Sequence, residues 1–185
     1  MDVLTTDDAL ALADKVAEHV DIIELGTPLI KAEGLRAVTA IKAAHPDKIV
    51  FADLKTMDAG ELEADIAFAA GADLVTVLGT AGDSTIIGAV AAATKHKKGV
   101  VVDLIGVSDK VTRAREVTAL GATFVEMHAG LDEQAEAGFS LAGGVNASTI
   151  ASVQRAGASV AVAGGAIYGA TDPAAAAAEL RAAII

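Results

Sequence analysis

The chain has 185 residues, enough for a single domain over 1–185, and is 53% hydrophobic and rich in alanine. It has no cysteine, which excludes a disulfide framework or a thiolate metal site, and its net charge of −11 argues against general nucleic-acid affinity. No apolar run approaches the ~18 residues of a membrane span, and the start lacks a basic-then-apolar signal pattern, so a cytoplasmic setting is expected.

Taken in order, the chain reads as a repeat. A helix is expected to start at the capping cluster Thr5-Thr6-Asp7-Asp8, leaving only residues 1–4 where a first strand would stand. Strand-like runs follow at 21–25, 48–54, 73–78, 99–104 and 123–128, and later at 139–142 and 159–163. Helical periodicity fills 35–44, 61–70, 85–95 and 110–120. Gly71, Gly121 and Gly157 each precede a strand, as helix C-caps do. Near-continuous apolar strands alternating with helices predict a parallel sheet covered by helices.

The first five strands begin 27, 25, 26 and 24 residues apart, a regularity that favours a TIM-type (β/α)8 barrel over a doubly wound sheet. No Gly-x-Gly-x-x-Gly follows a first strand, which also argues against a dinucleotide fold. The spacing then breaks. Only ten residues, 129–138, separate the fifth of these strands from the next, too few for an ordinary helical crossover. The expected architecture is a barrel of seven strands and seven helices plus a stub, shortened at strand 1 and at helix 6.

In such a barrel, chemistry collects where strands end. Those ends are Glu24, then Asp53 with Lys55 and Asp58, then Gly79, Asp103, and Glu126 with His128. Strand alternation would put Asp53 and Lys55 on one side. Asp58, just before Ala59-Gly60, reads equally well as a helix cap beside a surface ion pair. Of four histidines, only His128 ends a strand, while His19, His45 and His96 fall in turns on the opposite rim. The pairs Gly143-Gly144 and Gly164-Gly165 end the last two strands, where barrels commonly hold phosphate, although glycine also serves tight turns. The sequence Val145-Asn-Ala-Ser-Thr149 is read as a helix start, and Asp172-Pro173 as the cap of a later helix. Glu24 and Asp53, on adjacent strands, could share Mg²⁺, which stabilises oxygen charge while a base moves a carbon-bound proton. Lys55 between carboxylates would stay protonated, which disfavours a Schiff base.

Asp53-x-Lys55-x-x-Asp58, preceded by Asp21-Ile-Ile-Glu-Leu-Gly-Thr-Pro-Leu-Ile30, resembles the orotidine-phosphate decarboxylase superfamily. Val101-Val-Asp-Leu-Ile-Gly106, Glu126-Met-His-Ala-Gly-Leu-Asp-Glu-Gln134 and Val162-Ala-Gly-Gly-Ala-Ile167 are most similar to its 3-hexulose-6-phosphate synthases. The resemblance spans nearly the whole chain. It implies Mg²⁺-dependent aldol addition of formaldehyde to ribulose 5-phosphate by a homodimer, a step of the ribulose monophosphate pathway. By position, Glu24 and Asp53 would lie at the metal, and Lys55 and His128 around the enediolate. Asp58 would reach the partner's site. Asp2 would match the family's rim aspartate, and Asp103 with Gly143, Gly144, Gly164 and Gly165 would bind substrate. Related 3-keto-gulonate-6-phosphate decarboxylases carry an arginine soon after the rim histidine; Ala129-Gly130 here favours the synthases. A further alternative is a shortened barrel that has lost activity.

Overall fold

The structure, a computed structural model, describes residues 1–128 and 145–184. Helix α1 (Thr6–Val16) starts at Thr5, whose side chain accepts from the Asp8 amide, and a short 3-10 turn (Ala17–His19) leads to strand β1 (Ile22–Leu25). Helices α2 (Thr27–Glu33) and α3 (Arg36–Ala44) precede β2 (Ile49–Thr56). Then come α4 (Gly60–Ala69), β3 (Leu74–Leu78), α5 (Asp83–His96), β4 (Gly99–Asp103), α6 (Lys110–Ala119) and β5 (Phe124–Glu126). Later come α7 (Ile150–Arg155), α8 (Gly165–Tyr168) and α9 (Pro173–Ala182), the last capped by Asp172 with proline in its first turn. The sequence periodicity shows four of the first six helices well but passes over α2, whose only signal is Pro28 at its start.

The five strands among the described residues are all parallel and lie in consecutive order, β1 to β5. A doubly wound sheet would reverse its order at a switch point. Consecutive order instead puts every crossover helix on one side of a curving sheet, the arrangement of a TIM-type (β/α)8 barrel. Gly71 and Gly121, at φ 109° and 102°, turn the chain from helix into the next strand.

Between sheet and helices lies the main core. Ala9 and Ala13 of α1, Val38 and Ile41 of α3, Ala64 and Ala67 of α4 and Ile86 and Ala89 of α5 pack against Val50, Val75, Val100 and Val102. Alanine dominates these helix faces, so the helices sit close to the strands. Leu25, Leu29, Ile41 and Ile86 are completely buried, each contributing roughly 1.5–3 kcal/mol of transfer free energy. The inner side of the sheet holds a smaller cluster of Phe51, Leu74 and Val101, joined by Ile22 and Phe124.

Both ends differ from the regular repeat. Residues 1–4 form no strand, but Met1 lies along β1: its amino group donates to the Glu24 carbonyl at 2.7 Å, and the Gly26 amide donates to the Met1 carbonyl at 3.0 Å. The strand expected at 159–163 does not form. A strand needs ladder partners; among the described residues it is Met1 that bonds the free edge of β1, and Ser159 and Val160 are exposed. The strand expected at 139–142 lies outside the described residues. The C-terminal segment folds back on α1, where Ala177, Ile167 and Tyr168 pack on Leu12 and Val16, and Arg181 pairs with Asp21.

Candidate active site

The end of β2 is not a simple continuation of the strand. Ala52 pairs with Val75 and Thr56 with Val77, so Asp53, Leu54 and Lys55 face a single partner residue across a bulge. Lys55 takes φ +49°, an uncommon conformation for a residue with a side chain, held by its amide donating to Thr76 Oγ at 2.7 Å. Alternation along a regular strand is therefore not what brings Asp53 and Lys55 together. The bulge does, and it aims Lys55 Nζ at two carboxylates, 3.0 Å from Asp53 and 2.8 Å from Asp103.

Asp53 is almost wholly buried and satisfied on both oxygens. Thr76 donates to Oδ1 at 2.9 Å and Thr27 to Oδ2 at 2.8 Å. Asp103, at 0% exposed, accepts from Lys55, from His128 Nδ1 at 2.9 Å and from the Ile105 amide at 2.8 Å. Burial works against the Asp103 charge, but the His128 and Lys55 contacts outweigh it and hold its carboxyl below the usual range. Burial would likewise lower the Lys55 ammonium, yet the Asp53 and Asp103 carboxylates keep its pKa raised, so it remains a cation. The hydrogen bond to Asp103 raises His128 above its ordinary value and leaves Nε2 as the nitrogen available for chemistry.

Two glutamates complete the rim. Glu24 is pushed up to about 8, first by burial and then by the Asp53 and Glu126 carboxylates. Glu126 is pushed up to about 7, first by burial and then by Asp103. Asp103, Glu126 and His128 each bring a donor atom within 4.8 Å of the others, although Asp103 and His128 already bond to each other. Four carboxylates thus crowd around one ammonium and one imidazole, a charge excess that a divalent cation would relieve.

The structure gathers Glu24, Asp53, Lys55, Asp103 and His128 at adjacent strand ends. Asp58 stays apart: it is exposed, and its carboxylate accepts from the Ala59 amide at 2.7 Å. The neighbour of Lys55 on its other side is accordingly Asp103, not Asp58. Asp2 sits beside Gly26 with its carboxylate on the Tyr168 hydroxyl. Gly164 and Gly165 open α8, and Gly143 and Gly144 lie outside the described residues, as does Ala129-Gly130. The remaining histidines are at the opposite rim. His96 bonds Asp65 at 2.8 Å and lies against Phe68, while His45 is 3.2 Å from Asp14, close enough to pair but angled away from a hydrogen bond. A 440 Å³ hollow at that rim carries four lysines, two of which share the Asp73 carboxylate.

Sequence reasoning passed over Thr27, Thr76 and the role of Glu126 in the site's electrostatics. Thr76 had a visible signal, a hydroxyl inside the apolar run Leu74-Val-Thr-Val-Leu78. Thr27 had none, because nothing local shows that α2 begins across from Asp53.

The orotidine 5'-phosphate decarboxylase / HUMPS family profile matches residues 1–141. The 3-hexulose-6-phosphate synthase of Mycobacterium gastri is 72% identical over 200 aligned positions, covering 100% of this chain and 97% of that one. That span exceeds the 185 residues here, so the relative carries about fifteen positions this chain lacks. The enzyme of the same name from Methylomonas aminofaciens is 47% identical, covering 97% of this chain and 94% of the other. A crystal structure of a 3-hexulose-6-phosphate synthase superposes with a TM-score of 0.98 at 72% identity, over 100% and 97% of the two chains. A 3-keto-L-gulonate-6-phosphate decarboxylase from Vibrio cholerae gives 0.87 at 30% identity, over 100% and 94%. By its profile match, its full-length relatives and the shared fold, the chain belongs to the orotidine 5'-phosphate decarboxylase / HUMPS family.

Proposed function

We propose that the protein is a 3-hexulose-6-phosphate synthase, a lyase that joins formaldehyde to ribulose 5-phosphate, and that it acts in the cytoplasm. The carrying observation is the Asp53–Lys55–Asp103–His128 chain of contacts, all at 2.8–3.1 Å, on the rim of a fold shared at 72% identity with synthases of that name. The lower identity to the decarboxylase, 30%, supports the synthase over that alternative.

The residues fit a Mg²⁺ ion. Glu24, raised by burial and like charge, is the carboxylate that gains most from a cation, and Asp53, two residues beyond its partner Phe51 on the next strand, is near enough for its charge to act on it. When bound there, the ion supplies positive charge that favours oxygen anions of the substrate. His128 Nε2 takes the proton from the carbon beside the sugar's ketone. Lys55 donates to the oxygen on which negative charge collects. The resulting enediolate carbon bonds to the formaldehyde carbon, whose carbonyl electrons move to oxygen. His128 returns its proton to that oxygen, so the base is regenerated and no oxidant is needed. Gly143, Gly144, Gly164 and Gly165 would receive the phosphate.

A homodimer is part of the reading. Asp58 stands on a face where Met57, Leu62, Ile66 and Ile87 are each about half exposed or more, beside a 520 Å³ groove along α4 and α5. Covering that apolar face with a second copy buries these side chains and gives Asp58 a route into the partner's site. The test is formaldehyde-dependent consumption of ribulose 5-phosphate with added Mg²⁺, wild type against Asp53→Ala. Equal rates for the two proteins refute the proposal.

A further inference from the structure

Tyr168, the last residue of α8, is the chain's single tyrosine. Its hydroxyl donates to Asp2 Oδ2 at 3.0 Å, joining positions 166 residues apart. Both partners are held from behind. A Cβ at Gly26 would stand 2.0 Å from Asp2 Oδ1, so the aspartate fills the space a side chain would need. A Cβ at Gly164 would stand 3.2 Å from the Tyr168 ring, so that ring lies against the Gly164 backbone. In a closed barrel, ladder bonds on both sides fix the end of the first strand. Among the described residues, Met1 has them on the β1 side only.

We propose that Tyr168 is a positioning residue: it replaces the absent ladder, fixes Asp2 at the rim of the site and ties it to the Gly164-Gly165 loop. This rests on the synthase reading, in which Asp2 and that loop both serve the sugar phosphate. The physical need is clear. Asp2 is exposed, so without the hydroxyl several rotamers would be open to its carboxylate. A hydrogen bond to a charged acceptor selects one of them.

The contact is tested without any turnover. With one tyrosine and no tryptophan, an absorbance titration reads Tyr168 alone. Burial and the Asp2 carboxylate both oppose the phenolate, so its midpoint lies above the ordinary value of about 10, and Asp2→Asn moves it down. An unmoved midpoint overturns the contact. The role is tested by kinetics. Tyr168→Phe lowers kcat about fivefold with little change in KM, as expected for a hydrogen bond of ordinary strength. In the Asp2→Asn background the same substitution costs nothing further, whereas additive losses overturn positioning through Asp2. A wild type that shows no turnover refutes the synthase reading and with it the catalytic purpose, while the titration still decides the contact.

Discussion

Glu24 offers a direct measure of the site's electrostatics. Its carboxyl rises from an ordinary 4.5 to about 8 because it is buried beside Asp53 and Glu126. A folded-state value above the unfolded one means that the folded protein holds the proton more tightly. The associated stability is fully present below pH 4.5 and is lost as pH rises through about 8. At about 1.36 kcal/mol per unit, the shift sets a ceiling of roughly 5 kcal/mol. Part of that belongs to neighbours whose repulsion eases when any one carboxyl takes a proton, so about 2 kcal/mol is expected for Glu24 itself. For a domain of this size, that corresponds to about 4–8 °C in melting temperature. Thermal melts of wild type and Glu24→Gln, with metal chelated, at pH 5 and pH 8.5 provide the assay. Wild type should lose about 4–8 °C relative to the variant over that interval, and Mg²⁺ should restore wild type at the higher pH but not the variant. Parallel pH dependences for the two proteins would refute the reasoning.

Two other substitutions probe the support of the site. Lys55→Met leaves the buried Asp53 and Asp103 carboxylates without their cation and should cost about 3 kcal/mol in urea unfolding, with turnover abolished; an unchanged midpoint would show that the pair is not coupled to folding. Gly60→Ala places a Cβ 1.9 Å from the Thr85 carbonyl oxygen, an atom of the α5 backbone that cannot rotate away. It should destabilise by about 1–3 kcal/mol and more than Gly88→Ala, where the nearest atom is 3.1 Å away, and differential scanning calorimetry of the pair ranks them.

The repeat itself was legible in the sequence. Apolar β-branched runs at intervals of about two dozen residues appear in the structure as β1 to β5, within a residue or two of the expected starts. Local signals suffice there, because a strand covered on both faces must be continuously apolar and a helix must end before the next strand begins. The rim residues were legible for the same reason: charges at the ends of such strands have few structural explanations. The ends of the barrel were not legible locally. Ser159, Val160 and Ala161 have the composition of a strand but take another course, because strand formation depends on hydrogen-bonding edges contributed by distant segments.

Tertiary structure alone decided how the charges are arranged. Sequence placed Asp53, Lys55 and Asp58 in one stretch, yet the bulge at 53–55 turns Lys55 toward Asp103, 48 residues away, and leaves Asp58 outside. The hydroxyls of Thr27 and Thr76 that satisfy Asp53 come from two other elements, and the elevated proton affinity of Glu24 and Glu126 arises only when four carboxylates are brought together and partly desolvated. Sequence by itself determined which residues carry charge and which elements deliver them to the rim, since periodicity and composition act over a few turns of chain. Which charges meet, and at what proton affinity, depends on distances across the sheet and on exclusion of water, and these exist only in the folded molecule.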